Sequence, residues 1–303
     1  MLCKLTSQRT SARSLLLMAS AAALITLSGC GNSWSVVEVG DNWSCGIDSS
    51  AELQCWGSVE QHQQPPGGSF SSLSVGRNHA CAITAQGAVG CWGANEHGKV
   101  GEARTGYLAV DAGGDHTCAI RSDYSLDCWG RDDDGESSPP EGSFSAVCTG
   151  TVHSCAVDQD GSMHCWGANE HGQTEPPPGT YSQVSCGSYH SCAIRSNGSV
   201  DCWGAGSDDE ASCRQDEANA DCGQSGGSNG FFNSISAGGF HSCGIDQDNG
   251  AVCWGSDQEG QSSPPIEVTL TTVSAGIDHS CGLDAQGAVY CWGANWRGQS
   301  SPP

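Results

Sequence analysis

Small and apolar residues alternate along short stretches of this chain, and the stretches come in threes. Between Phe70 and Gly93 they read Ser74-Val75-Gly76, His79-Ala80-Cys81-Ala82-Ile83 and Ala88-Val89-Gly90-Cys91-Trp92-Gly93. Period-two segments separated by glycine-bearing turns predict antiparallel strands. The turn between the second and third is Thr84-Ala85-Gln86-Gly87-Ala88, and its fourth position is Gly87, Gly161, Gly198, Asn249 or Gly287 in five copies of the unit. Gly and Asn tolerate positive φ, which closes a short hairpin. A hairpin symmetric about Gln86 sets Cys81 opposite Cys91, Ile83 opposite Val89 and Trp92 opposite Ala80.

Alternation then sorts the side chains onto two faces. One carries His79, the cysteine pair and Ile83 with Val89; the other carries Ala80, Ala82 and Trp92. The position of Ala80 is Ser44, Thr117, Ser154, Ser191, Ser242 or Ser280 elsewhere, and that of Ala82 is always Ala or Gly. A large indole over a shelf of small residues is a packing device. It predicts that the indole face of one sheet meets the aliphatic and sulfur face of the next.

The unit recurs seven times, marked by a cysteine followed ten positions later by Cys-Trp-Gly. The pairs are Cys45 with Cys55, Cys81 with Cys91, Cys118 with Cys128, Cys155 with Cys165, Cys192 with Cys202, Cys243 with Cys253, and Cys281 with Cys291. Successive first cysteines lie 36, 37, 37, 37, 51 and 38 residues apart. A fixed period in this range signals radial or stacked repeats. The expected fold is all-β, a seven-bladed β-propeller of 36–38-residue repeats over 34–303, with an insertion at about 206–230 in the fifth. After each Trp-Gly most repeats continue into a polar turn and prolines, as in Glu259-Gly260-Gln261-Ser262-Ser263-Pro264-Pro265. Proline cannot donate to a ladder, so this stretch should be a sheet edge or the loop leading onward. The chain enters at Trp34-Ser35-Val36-Val37-Glu38-Val39-Gly40, in phase with Phe70 to Gly76, and ends after a proline stretch, as a closed ring requires.

The pattern Gly-x-x-His-Ser-Cys-Ala-Ile followed by Cys-Trp-Gly-x-Asn-x-x-Gly-Gln resembles the repeat of the regulator-of-chromosome-condensation family, and in particular its exported, cysteine-bearing bacterial members. The resemblance spans about 34 to 303 and implies a seven-bladed propeller. It departs from the family where Gly-Gln-Leu-Gly is approximated by Gly98-Lys99-Val100-Gly101, and where the first repeat has Trp43 in place of His. The family's founder is a nucleotide exchange factor for a small GTPase that docks on chromatin; its loops and basic tail have no matching positions in this chain. Some members outside bacterial cells bind and inhibit other proteins through one propeller face.

The N-terminus predicts export. Lys4, Arg9 and Arg13 precede an apolar run from Leu15 to Leu27, too short to span a bilayer and suited to a secretory signal. The ending Leu27-Ser28-Gly29-Cys30 resembles a lipobox, which makes 1–29 a lipoprotein signal peptide, Cys30 the lipidated residue and 30–33 a short tether. The alternative is an ordinary signal peptide cleaved nearby. Gly31 and Asn32 lack the acidic residue of inner-membrane retention, which points to the outer membrane. Twenty cysteines fit an oxidising compartment. Without the signal, 8 Lys+Arg stand against 34 Asp+Glu, a formal charge of −26. Such a surface repels phosphate backbones and argues against nucleic acid as a partner.

Candidate chemistry is sparse. His79, His116, His153, His190, His241 and His279 each precede the first cysteine by two residues, so a His-Cys-Cys trio could supply three ligands to zinc or copper. The other reading is a disulfide plus a histidine that hydrogen-bonds a strand end. Export and cross-strand spacing favour that one, with seven disulfides and no metal. Cys213 and Cys222, both in the insertion, form the simplest local bridge. Cys148 and Cys186 stand on equivalent strands of neighbouring repeats but one position out of phase; alternation puts them on opposite faces, and their pairing stays open. The acidic runs Asp132-Asp133-Asp134 and Asp208-Asp209-Glu210, and the turns at Asp158 and Asp246, lack the ligand ladder of a calcium loop. No triad, phosphate-cradling glycine loop or isolated carboxylate pair stands out. The expectation is therefore a non-enzymatic envelope lipoprotein without catalytic residues or cofactor, binding a protein or an envelope polymer and touching the membrane through its lipid anchor. A secreted enzyme or enzyme inhibitor using the axis face is the alternative, and GTPase exchange is opposed by export and by charge.

Overall fold

The computed structural model describes residues 33–59, 64–206, 222–227 and 230–303. The expected signal segment, Cys30, Cys213 and most of the insertion lie outside the described residues. From Ser33 onward the chain folds as one unit of seven antiparallel sheets. Blade 1 is β1 (Trp34–Val39), β2 (Trp43–Asp48) and β3 (Leu53–Gly57); blade 2 is β4 (Ser72–Val75), β5 (His79–Ile83), β6 (Ala88–Gly93) and β7 (Arg104–Thr105). The other five blades repeat the three-stranded order, with the middle strand between an inner and an outer one. The register follows the hairpin symmetry: Cys81 pairs with Cys91, Ala80 with Trp92 and Ile83 with Val89. The fourth turn position has positive φ in all seven hairpins, including Ala51 at 63° and Tyr124 at 68°, where neither glycine nor asparagine is present.

The blades stack as the two-face reading requires. Trp43, Cys45 and Ile47 of blade 1 pack on Leu73, Ala80, Ala82 and Trp92 of blade 2. Cys281 and Leu283 of blade 7 pack on Trp34, Val37 and Trp56 of blade 1, which closes the ring with the same kind of contact. A second bulky side chain shares the small-residue shelf. It comes from the first residue of the inner strand or, in blades 2 and 7, from two residues before it: Trp34, Phe70, Tyr107, Phe144, Tyr181, Phe232 or Leu270. A Cβ on Gly46, Gly244 or Gly282 would collide with Trp34, Phe232 or Leu270, so the shelf is small because two large groups meet over it. In most blades a bulge after the first residue of the inner strand aims this group.

Where the proline-bearing stretches are described, they are connecting loops; the proline-free stretch after the outer strand of blade 2 supplies Arg104–Thr105 as a short fourth strand. All seven repeat pairs are disulfides across directly paired strand positions, with Cα separations of 4.0–4.1 Å. Cys45 is joined to Cys55, Cys81 to Cys91, Cys118 to Cys128 and Cys155 to Cys165. Cys192 is joined to Cys202, Cys243 to Cys253 and Cys281 to Cys291. The two halves of each bridge differ in setting. The first cysteines, on the middle strands, are fully buried, whereas Cys55, Cys91, Cys128, Cys165, Cys202, Cys253 and Cys291, on the outer strands, are only partly buried. Cys222 is also disulfide-bonded.

Cys148 and Cys186 are joined as well, with Cα atoms 5.4 Å apart. Alternation along the chain places them on opposite faces of their sheets, and there they lie: Cys148 pairs with Cys155 and Cys186 with Ser191. In a ring, however, opposite faces of successive sheets meet, so this placement brings the two sulfurs together instead of parting them.

Candidate functional site: the axial face

The six repeat histidines are completely buried, and each reaches the next blade. Nε2 lies 2.7–2.8 Å from the hydroxyl opposite the neighbouring indole, in the pairs His79–Thr117, His116–Ser154, His153–Ser191, His190–Ser242, His241–Ser280 and His279–Ser44. In five of these the hydroxyl donates to a loop carbonyl, those of Lys99, Glu136, Gln224, Gln261 and Gln299. The indole N–H of the same blade donates to the same carbonyl, as Trp129 does to Lys99 at 2.8 Å. Because the hydroxyl proton is committed, the imidazole must donate, which sets the Nε2–H tautomer. Burial drives the pKa of His79, His153, His190 and His279 down to about 3 and of His116 and His241 to about 4. The repeat histidine thus reaches across to the neighbouring blade and does not cap the end of its own strand. It is a bolt between blades. Among the described residues, His153, Cys155 and Cys186 bring their ligand atoms within 4.8 Å of one another, but both sulfurs are bound in disulfides.

The seam between blades 1 and 2 lacks the bolt. Trp43 replaces the histidine in blade 1 and Ala80 replaces the hydroxyl in blade 2, so the two exceptions face each other. Trp43 instead donates its indole N–H to the carbonyls of Gly76 and Arg77 at 3.2 and 3.3 Å. Among the described residues, Trp92 Nε1 on this seam has no hydrogen-bond partner.

The axis is lined by the inner strands. At one end stand Gly40, Gly76, Gly113, Gly150, Gly187, Gly238 and Gly276, one per blade. A Cβ on each would come closer than 3 Å to the carbonyl oxygen of the next, all the way round. The ring tolerates no side chain. Its signal was available, since the glycine three positions before His or Trp recurs in every repeat. Inside it lies a polar chamber of about 150 Å³ containing Glu38, Ser74, Asp111, Ser185, Ser236 and Ser274. The position of Ser74 accepts from the next blade's backbone: Ala112, Thr149, Ala237, Ala275 and Val39 donate to Ser74, Asp111, Ser185, Ser236 and Ser274. Cys148 occupies this position in blade 4, so there the cross-blade hydrogen bond is replaced by a covalent one. Burial raises the Glu38 carboxyl to about 7 against the Ser274 hydroxyl that donates to it, with nearby Asp111 adding to the rise; Asp111 itself is also raised by burial.

Outside the glycine ring is a shallow mouth of about 80 Å³. The residue after each ring glycine is Asp41, Arg77, Gly114, Thr151, Ser188, Gly239 or Ile277, so variability begins just beyond the ring, although a Cβ on Gly114 or Gly239 would still meet Thr151 or Ile277 of the next blade. Asp41 pairs with Arg77 at 3.3 Å. Burial lifts its carboxyl to about 7, Arg77 opposing and Asp278 reinforcing the shift. The loops after each outer strand emerge at this end, because Gly93 and its counterparts pair with the residue that opens the middle strand. Acidic groups there serve their own loops: Asp132 accepts from Ser137 N–H and Ser138 Oγ, and Asp133 holds Arg131 at 2.8 Å. In the hairpin turns at the other end, Asp158 and Asp246 accept from backbone N–H groups two and four residues on. Asp208, Asp209 and Glu210 lie outside the described residues.

Seven sheets in a closed ring, bolted by side chains and narrowed by glycine, define a seven-bladed β-propeller of short repeats. Residues 70–99, 108–136, 144–173, 181–209, 232–261 and 270–299 match the family model of the regulator of chromosome condensation (RCC1) repeat, and the chain belongs to that family. Blade 1, which carries Trp43, lies outside those matches. The fold is similar to the ectodomain of the receptor kinase CR4 from Physcomitrella patens, with 26% identity, a TM-score of 0.67, and 86% of this chain and 74% of that one covered. It is also similar to the CRINKLY WD40 ectodomain of the receptor kinase ACR4 from Arabidopsis thaliana, with 24% identity, a TM-score of 0.69, and 89% and 99% covered. Prp20p from Saccharomyces cerevisiae, described with its binding properties to Gsp1p and histones, shares the fold at 15% identity and a TM-score of 0.64, with 81% of each chain covered. No curated protein matches the chain.

Proposed function

We propose that this chain is a non-enzymatic binding module of the bacterial cell envelope, tethered through a lipid on Cys30, that recognises a protein or envelope polymer with the axial face bearing the glycine ring. One observation carries the reading. Ring glycine, histidine, hydroxyl and indole are almost constant from blade to blade, whereas the residues just beyond the glycine differ at nearly every step. A scaffold that varies the positions at its axial mouth while fixing the ring directly beneath them is suited to presenting that mouth. The similar folds include receptor ectodomains and a protein described by its protein partners, which is consistent with binding; fold alone does not carry function. The disulfides favour an oxidising compartment. Among the described residues no helix is long and apolar enough to cross a membrane.

Two experiments test the reading. Labelled fatty acid should enter the wild type and not Cys30→Ser, which should remain precursor or become soluble; normal membrane partitioning of that variant removes the anchor. Photo-crosslinkers placed at Thr151 and Ser188 in the native envelope should trap a partner that crosslinkers at Ser122 and Ser196, in hairpins at the other end, do not. Equal trapping at both ends refutes the assignment of the face.

A further inference from the structure

The turn from inner to middle strand brings a second variable position to the mouth: Asn42, Asn78, Asp115, Val152, Tyr189, Phe240 and Asp278. Around the ring these are sorted, not mixed. Blades 4, 5 and 6 contribute Val152, Tyr189 and Phe240 in succession, and blade 7 extends them with Ile277 one position earlier. Blades 7, 1, 2 and 3 contribute carboxylates and amides. All four apolar side chains are only partly buried, in a turn where water is available and nothing in the repeat demands them. An apolar arc thus borders a polar one across the axis.

Over the seam between blades 4 and 5 the apolar arc opens into a groove of about 520 Å³, a volume typical of ligand sites. Val152, Ala168 and Tyr189 line it together with Asp134, Glu170 and His171. His171 packs edge-on against Tyr189 with ring centroids 5.3 Å apart. Arg131 also lines the groove, but its charge is already met by Asp133 at 2.8 Å and by Glu136 at 3.5 Å, with Asp134 at 3.6 Å. Three carboxylates therefore meet one guanidinium, and exposed Glu170 adds a further negative charge to the lining. The groove combines an aromatic face, an apolar patch and surplus negative charge.

We infer that this groove docks an extended segment of a protein partner that presents a basic side chain beside an apolar or aromatic one. The inference rests on the axial face being the binding face. A guanidinium or ammonium group can lie over the Tyr189 ring while facing Glu170, and the adjoining apolar side chain covers Val152 and the arc beyond it. The strong net negative charge of the chain steers such a partner inward and repels polyanions.

The test selects phage-displayed random dodecapeptides on the full, oxidised protein and measures the selected peptides by fluorescence anisotropy. The expected sequences place Arg or Lys next to Trp, Tyr, Phe or Leu. Tyr189→Ala should weaken them by about tenfold or more, and Glu170→Lys by a similar factor with a reduced salt dependence, in line with the loss of a desolvated cation–π or charge contact. Glu170 is exposed, so that variant should keep the wild-type urea midpoint and protects the test against misfolding. Leu108→Ser, an exposed site at the start of the blade 3 inner strand, should leave affinity unchanged. Acidic or charge-free selected peptides, or equal affinity for Tyr189→Ala, Glu170→Lys and wild type, overturn the inference. If the Thr151 and Ser188 crosslinkers still trap a partner in that case, the binding-face reading stands and only the groove falls. If no peptide is selected and no partner is trapped, both fall.

Discussion

Acid should unfold this propeller steeply, because its bolts are neutral imidazoles. The perturbation is a change of pH from 7.5 to 4.5 with the disulfides intact. Six histidines have folded-state pKa values of about 3 to 4, against an ordinary value of 6.5. Between those limits the unfolded chain binds protons that the folded chain refuses, so unfolding takes up protons and stability falls as pH falls. Glu38 and Asp41 act in the opposite sense. Their carboxyls are raised to about 7, so the folded chain holds two protons that unfolding releases between pH 7 and the ordinary carboxylate range, and Asp111 adds to this. Six protons taken up against two or three released leave a net of three or four. At about 1.4 kcal/mol per proton and pH unit, stability should drop by roughly 4 to 5 kcal/mol for each unit below pH 6. A domain stable by roughly 5–15 kcal/mol cannot lose that over more than a few units. Urea unfolding followed by tryptophan fluorescence, at half-unit steps of pH, measures the slope directly. Stability constant to within about 1 kcal/mol from pH 6.5 to 5, or rising as the pH falls, refutes the buried neutral tautomer and with it the bolt.

Three further outcomes follow from the packing. Cys148→Ser with Cys186→Ala should cost about 3 kcal/mol in urea unfolding: the 38-residue separation gives roughly 4 kcal/mol of loop-closure entropy, and the introduced hydroxyl can restore the cross-blade hydrogen bond found in other blades, worth about 1. Wild-type stability in the double variant would mean that the bridge does not constrain the unfolded chain. Gly76→Ala should destabilise the ring by about 1–3 kcal/mol or prevent folding, since its methyl would collide with the backbone of Ala112 and Gly113, whereas Gly98→Ala, with open space around it but positive φ, reports backbone strain alone. Tyr124→Gly should raise the thermal midpoint, because the tyrosine sits at φ 68° where an L-residue is strained by about 1–2 kcal/mol; an unchanged or lower midpoint would show that its ring packing outweighs the strain.

What the sequence determines by itself is whatever is decided within one hairpin. Ten-residue cysteine spacing, a positive-φ residue near the middle and strict alternation are enough to place Cys81 opposite Cys91 and Trp92 opposite Ala80, because a period of two leaves no other register with a buried face. The seven copies then require seven sheets, and the small shelf requires an indole from within its own blade. The tertiary structure decides what each face meets. His79 finds Thr117 only because successive blades stack with opposite faces in contact, and no local pattern states which atom 38 residues away will stand 2.8 Å from Nε2. For the same reason Cys148 and Cys186, out of phase along the chain, are bonded across a seam. The mismatches at Trp43 and Ala80, separate oddities along the sequence, become one seam without a bolt. The ring glycines are small because seven backbones converge on one axis, a crowding that belongs to the closed circle and to no single repeat.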